Sequence, residues 1–518
     1  MQKCGLAIGL ALISMLTLGS AAAAADSCAN TSCHVILGKA KYVHSPVAEG
    51  SCDSCHEATG KTHPMQRGAF KLTANGAALC EQCHDSKSAG MAFVHPALAD
   101  GCTGCHSPHQ SDNPKFLLQA GNALCLMCHP DPAKGKFTVH PILKDGCTSC
   151  HNPHAGKFKG MLPAAGAALC EQCHDSKTKG KKYAHTPVKS GECTSCHNPH
   201  ADKAKGMLPA SGAKLCAECH DNKAAEPVVH GPVAADDCGS CHDPHAADAK
   251  NQLAAEGNEL CYLCHDQKSK LRTMPNVHPI VAEGCTNCHN PHSGKEKYML
   301  STSGDTLCLS CHEDIGKAIK EGKYQHMAVT ESGCGACHDA HGTGNSKLLS
   351  TPERELCLGC HDGMQQKILA SKSQHEPVAS GDCGGCHNPH GSNAAKLLKG
   401  NYPVEFYSPY KEENYALCFS CHDKGLAEYE RTSSATNFRN GDFNIHWLHI
   451  NKSGKGRTCR VCHDVHGADQ EHLVSSRIVG FGRWEIPITL TTTPTGGTCL
   501  VGCHKPKSYD RRRAVLNP

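Results

Sequence analysis

Aromatic residues make up only 4% of this 518-residue chain, with two tryptophans, and hydrophobic residues of all kinds reach 39%. That shortage excludes a set of domains each folded round a large apolar core, which a chain of this length would ordinarily form. Long apolar runs are missing too. Gly5 to Gly19 is one such stretch; no other approaches the ~20 residues a bilayer span needs. Charge of one sign is also absent: 52 Lys and Arg face 49 Asp and Glu, for a net +3. Nothing in that balance points to nucleic acid, and Arg511-Arg512-Arg513 reads as a solvated tail.

Cysteine and histidine are what the chain has in excess, 39 of each. Cys-x-x-Cys-His occurs seventeen times. This is the attachment pattern of haem c: two thiols a short turn apart bond one porphyrin, and the next His lies under the iron. Zinc also takes Cys-x-x-Cys spacing, but a His directly after the second Cys in every copy is the haem pattern. Looser copies bracket the series: Cys28, Cys33 and His34 at the start, Cys499, Cys503 and His504 at the end. We therefore expect about nineteen covalent haems. Cys4 alone is left over, so no cysteine remains for structural disulfides. Haem propionates would make the assembled protein far more acidic than its polypeptide. Without haem the chain is expected to be largely disordered, because the macrocycles supply the missing apolar surface.

The regular motifs alternate between two flavours. The first usually follows a Gly or an acidic residue, with a His further upstream: Cys52, Cys55 and His56; Cys102, Cys105 and His106; Cys147, Cys150 and His151; Cys193, Cys196 and His197; Cys238, Cys241 and His242; Cys285, Cys288 and His289; Cys334, Cys337 and His338; Cys383, Cys386 and His387; Cys459, Cys462 and His463. The second usually follows a Leu: Cys80, Cys83 and His84; Cys125, Cys128 and His129; Cys170, Cys173 and His174; Cys216, Cys219 and His220; Cys261, Cys264 and His265; Cys308, Cys311 and His312; Cys357, Cys360 and His361; Cys418, Cys421 and His422. The Cys499 motif completes that series. One of each makes a two-haem repeat of about 45 residues, a period that signals a tandem array. Nine such repeats follow the lone opening site.

Twenty histidines lie outside the motifs. Eight precede a first-flavour motif by seven or eight residues: His44, His95, His140, His185, His230, His278, His326 and His375. Eight follow a motif His by three: His109, His154, His200, His245, His292, His341, His390 and His466. His63, His446, His449 and His472 remain. So many in register with the motifs read as distal ligands of bis-His haems. His63 stands in for the downstream His that the first repeat lacks, and His446 or His449 serves the last first-flavour site. Supply exceeds demand by one. Three residues reach at most about 11 Å, too little to place two imidazoles on opposite faces of one iron. His154 should therefore reach a neighbouring haem rather than the one held by His151. Met161, Met207 and Met299 recur before Leu and read as packing against haem, not as ligands.

Residues 1–25 read as a secretory signal peptide, with Lys3, the apolar Gly5 to Gly19 and small residues Ala21 to Ala25; the alternative is an uncleaved anchor. Residues 26–399 form the tandem repeats. From 400 to 518 both tryptophans appear and motif spacing widens, so this segment is expected to be a C-terminal haem module that caps the array. The fold expected is mostly irregular coil with short α-helices, as at Ala164 to Leu169, in an elongated tandem-repeat array with a haem-packed core. The alternation from Arg477 to Thr491 can form a β-hairpin.

The chain resembles the multihaem cytochromes c with paired Cys-x-x-Cys-His motifs, found as exported proteins in metal-respiring bacteria. The His-Asn-Pro-His elements at 151–154, 197–200, 289–292 and 387–390 carry the likeness. So does the closing segment from Gly496 to Cys503-His504, with Tyr509-Asp510-Arg511. The resemblance implies low-spin, low-potential bis-His haems and electron transfer in the periplasm or at the outer surface. Its partners would be a periplasmic donor and an outer-membrane porin–cytochrome complex or extracellular cytochrome. The alternative reading is a multihaem reductase of nitrite, tetrathionate or a similar oxidant with one open haem. The surplus of His and the absence of any Cys-x-x-Cys-Lys motif weigh against it. A haem store or filament-forming scaffold is a third.

Overall fold

The computed structural model describes Cys28, residues 33–480 and residues 483–517. The segment read as a signal peptide lies outside them. The chain divides into two compact units, one reaching to His220 and taking in Cys238–Ala254, the other made of Asp221–Asp237 and Ala255–Pro518. Both consist of coil, helices of one to three turns and small antiparallel sheets. Among the described residues no helix is long and apolar enough to cross a membrane.

Each motif type has its own local structure. First-flavour motifs open in a single 3-10 turn, such as Cys102–Gly104 and Cys147–Ser149. The Cys150 and His151 amides both donate to the Cys147 carbonyl, at 3.3 and 3.0 Å, which turns both thiols and the imidazole the same way. Second-flavour motifs follow a short helix that reaches the first cysteine, such as Asn122–Cys125 and Ala167–Cys170. The helix expected from Ala164 starts three residues later because Gly166 precedes it at φ +55°, ψ −139°, a conformation open essentially to glycine alone.

Two-residue strands tie consecutive repeats together. In the first unit Phe93–Val94 pairs with Ala155–Gly156, Thr138–Val139 with Ala201–Asp202, and Tyr183–Ala184 with Ala246–Ala247. In the second, Asn276–Val277 pairs with Gly342–Thr343 and Ser373–Gln374 with Gly467–Ala468. Every pair joins the residues before an upstream His to those after the downstream His of the next repeat. The backbone continues the ladder through the histidines: His95 N–H donates to the His154 carbonyl at 2.8 Å, and His140 N–H to that of His200 at 2.8 Å. Small residues permit this closeness. Ala155 and Ala201 are almost completely buried, and a Cβ on Gly156 would sit 2.5 Å from the Met161 carbonyl carbon.

Apolar packing of the ordinary kind is concentrated past residue 400. Tyr415, Ala427 and Ile450 form one buried cluster; Val461, Val474, Ile478, Ile486 and Ile488 form another. The expected hairpin is present, Arg477–Val479 against Glu485–Thr492, but it is half of a larger sheet. Gly496–Val501 and His504–Asp510 extend it to four antiparallel strands. The alternation of Glu485–Thr492 buries Ile486 and Ile488 on one face, and the two added strands carry the closing motif. Asn444 caps the helix Ile445–Ile450: its carbonyl oxygen accepts from the His446 and Trp447 amides, and its side-chain amide donates to the carbonyls of Leu426 and Tyr429.

Fully buried and bonded on both sides, Asn444 cannot be replaced by Ala without orphaning several backbone groups. Asn444→Ala should destabilise this helix by about 2 kcal/mol, read as a rise of about 30-fold in amide exchange across Ile445–Ile450. Unchanged protection there would refute the capping role.

Candidate haem-binding site

The structure brings motif and non-motif histidines together in pairs. Their ring centres lie 5.9 Å apart for His34–His63, 6.0 Å for His44–His84 and 6.1 Å for His56–His109. In the first unit the same spacing recurs at His95–His129, His106–His154, His140–His174, His151–His200, His185–His220 and His197–His245, all 5.9 to 6.0 Å. In the second it recurs at His230–His265, His278–His312, His289–His341, His326–His361, His338–His390, His375–His422 and His387–His466, all 5.9 to 6.2 Å. His446–His463 is the widest at 6.3 Å. His242 and His292 fall one in each unit.

These distances do not vary with the angle between the rings, which runs from 7° at His197–His245 to 79° at His278–His312. Aromatic packing changes its centre-to-centre distance as rings turn from stacked to edge-on. Two imidazoles bonded through nitrogen to one metal at about 2 Å each have centres about 6 Å apart whatever their rotation. The residues present fit a bis-His haem.

A simple rule governs the pairs. An upstream His meets the second-flavour His of its own repeat; a downstream His meets the first-flavour His of the preceding repeat. His154 thus faces His106 and not His151. Each two-residue sheet presents both partners for one repeat, as at His95 and His154, which hold adjacent places on one ladder. At the ends the rule is completed by substitutes. His63 faces His34, and His446, from the capped helix, faces His463. His449, on the same helix, donates through Nδ1 to the Ile445 carbonyl at 2.7 Å, and His504 is among the groups whose charge lowers its pKa, after burial.

Burial holds many of the non-motif imidazoles below their ordinary pKa, with the facing motif His as a further cause at His109, His140, His200, His278, His326 and His375. At His446 burial and then His463 push it down to about 3. The neutral imidazole is the ligating form.

One recurrent feature left only a partial signal in the sequence, the Met-Leu recurrence at Met161, Met207 and Met299. From the second repeat on, each first-flavour His donates through Nδ1 to the carbonyl of the residue nine positions later. His106 meets Lys115, His151 Gly160, His197 Gly206, His289 Tyr298 and His387 Lys396, at 2.7 to 2.9 Å. That acceptor residue and its successor both sit at positive φ, as in Lys115–Phe116, Gly160–Met161 and Lys396–Leu397. Left-handed non-glycine residues cost of order 1 kcal/mol or more each, so the turn persists because its surroundings demand it. The bond fixes the imidazole tautomer and leaves Nε2 for the metal. His472 occupies this position for His463, offering its backbone carbonyl at 2.9 Å. The surplus histidine of the sequence count therefore sits at the turn. At His95, Nδ1 instead faces the Ala97 amide at 3.2 Å, a contact that an Nε2-ligated, Nδ1-protonated ring gives up.

The attachment thiols are ordered as well. Among the described residues no two cysteines form a disulfide. The first thiol of a second-flavour motif lies beside the first thiol of the next repeat: Cys80 by Cys102, Cys125 by Cys147, Cys170 by Cys193, Cys308 by Cys334, Cys357 by Cys383 and Cys418 by Cys459. Cys28 and Cys52 are placed likewise. Within repeats the second first-flavour thiol approaches the next motif, as Cys55 does Cys80 and Cys150 does Cys170. Asn122 clamps one such junction. Its side chain accepts from the Cys147 amide at 2.9 Å and donates to the Leu143 carbonyl at 2.8 Å; Asn258 does the same for Cys285 and Val281.

A family model described as a doubled CXXCH motif matches the chain at residues 44–89, 95–134, 140–179, 185–225, 230–270, 278–317, 326–366 and 375–427. The chain belongs to this family of multihaem c-type cytochromes. Each match begins at an upstream His, so the family's unit coincides with the two-motif repeat. Its motifs bind haem c covalently and serve electron transfer. A search of curated proteins finds no match.

The pairing rule predicts which haem a given substitution damages. His154→Ala should leave the haem at Cys102 and Cys105 five-coordinate and high-spin while that at Cys147 and Cys150 stays low-spin. Site-resolved resonance Raman or NMR showing the reverse would refute the rule. His472→Ala should open no iron, whereas His446→Ala should open the one above His463, detected as cyanide binding.

Proposed function

We propose that the chain is an exported one-electron conduit of about nineteen bis-His haems, the ring pairs described above being the axial pairs of all but those at His242 and His504. Bound there, haem supplies reversible iron(III)/iron(II) chemistry. The polypeptide does the rest. Its paired imidazoles would hold the iron from both sides, so that electron gain and loss would need little rearrangement. Its Nδ1–carbonyl bonds hold the first-flavour imidazoles in place, and its thiol file sets the order of neighbours. The near-constant ring spacing of those pairs is the observation that carries the reading. The attachment thiols follow one another in sequence order beside it, from Cys28 to Cys193 in the first unit and from Cys285 to Cys499 in the second.

Export is read from the sequence of residues 1–25, and would put the protein in the periplasm or at the outer surface. Electrons would arrive from a periplasmic donor and leave to a porin–cytochrome complex, an extracellular cytochrome or a mineral. A reductase reading has one place to stand. His504 is exposed and starts a β-strand instead of closing a helical turn, so the closing haem departs most from the regular geometry.

Two measurements test the proposal. Intact-mass spectrometry should show the polypeptide plus about nineteen haems; a value of seventeen would remove the two irregular sites. A potentiometric titration followed by spin-state spectroscopy should find low-spin iron throughout and reduction spread over a broad range. Several high-spin, cyanide-reactive irons in the resting protein would replace the conduit by the reductase.

A further inference from the structure

The second-flavour ring pairs fall into two sets by the angle between the rings. His95–His129, His140–His174 and His278–His312 are close to perpendicular, at 74°, 69° and 79°. His44–His84, His185–His220, His230–His265, His326–His361 and His375–His422 are nearly parallel, at 20°, 23°, 16°, 15° and 12°. No pair lies between.

One feature of the sequence sorts these eight without exception. In the perpendicular set the upstream His precedes the first motif cysteine by seven residues, as His95 precedes Cys102; in the parallel set by eight, as His44 precedes Cys52. The shorter link brings proline directly after the histidine, at Pro96, Pro141 and Pro279. Proline restricts the residue before it, and the histidine ψ is 124° to 125° in this set. Where one residue intervenes before proline, ψ is 136° to 139°. The Nδ1 environment does not sort the sets. His326, from a parallel pair, shares with His140 and His278 a buried Nδ1 lacking a partner. Nor does ψ, since His326 has ψ 120° in a parallel pair; the seven-residue link, with the proline it sets directly after the histidine, is what separates the sets.

Resting on the bis-His reading, we propose that a one-residue difference in this link sets two electronic classes of haem within one chain. An axial imidazole donates through the π orbital normal to its ring. Parallel rings both raise the same iron d orbital, which stabilises the hole of the ferric state. Perpendicular rings divide their donation between two orbitals, leaving them nearly degenerate and the ferric state less favoured. The haems of His129, His174 and His312 are then more easily reduced than their second-flavour counterparts. They act as local electron-accepting positions in the file.

Electron paramagnetic resonance of the oxidised, fully haem-loaded chain tests this independently of activity. Perpendicular pairs give a strongly axial low-spin signal with a large maximal g; parallel pairs give ordinary rhombic signals. The wild type should show both. Inserting a serine between His95 and Pro96 should remove one haem's worth of the large-g signal and add one rhombic centre. Deleting Ser45 should do the opposite at His84. A wild-type spectrum that is low-spin but rhombic throughout overturns the proposal and leaves the conduit standing, and so do haem-loaded variants with unchanged spectra. High-spin iron in the wild type overturns the conduit itself.

Discussion

A distance of about 6 Å between two imidazole centres is the constraint to which the chain is built. Each repeat must present two such partners to two motif histidines, and one pair of two-residue strands does both. His140 and His200, neighbours on one ladder, face His174 and His151. Since one of the two comes from the next repeat, the same contact that completes a haem site also joins consecutive repeats. Site geometry and chain architecture are here a single problem. A repeat cannot be finished without its neighbour, which is the usual condition of tandem arrays.

Energetically the repeats invert the ordinary arrangement of a globular domain. Their buried side chains are mostly alanines, such as Ala155, Ala201 and Ala246, and each repeat after the first keeps two consecutive left-handed residues. Small buried residues bring little hydrophobic stabilisation, and the left-handed pair subtracts from it. A polypeptide on those terms is expected to need its cofactor to fold, which would make haem attachment a folding step as well as a chemical one. The turn is kept because it aims one carbonyl at the Nδ1 of a motif histidine. The same placement recurs whether the residue is Lys115, Gly160, Tyr298 or His472.

That indifference to residue type explains what the sequence conceals. Motif spacing shows the attachment sites, the period, and the numbers of available histidines, because those depend on side-chain identity at fixed offsets. The chain-reach limit also shows that His154 must look beyond His151. Which repeat it reaches is a matter of the ladder between Phe93–Val94 and Ala155–Gly156, and two-residue strands leave no periodicity to read. The left-handed turn is a backbone device whose first position takes Lys, Gly, Asn, Tyr or His, so residue type there does not announce it. The four-stranded sheet was half legible: Arg477 to Thr491 alternates, while Gly496–Val501 and His504–Asp510 are occupied by a motif whose cysteines hide the pattern.

The two ends follow from the same constraint. A first-flavour haem takes its second imidazole from the repeat that follows, so the last one, at His463, has no donor. The solution there is an ordinary folded element. Asn444 caps a helix packed through Ile450 on Tyr415 and Ala427, and the helix carries His446 to within 6.3 Å of His463. The opening haem has the converse problem, since its motif stands alone ahead of the first repeat. His63 answers it by taking the place of a downstream histidine and facing His34. Conventional core packing is needed only where the array can no longer supply its own ligand. That is why the aromatic and branched residues so scarce elsewhere gather in the last stretch of the chain.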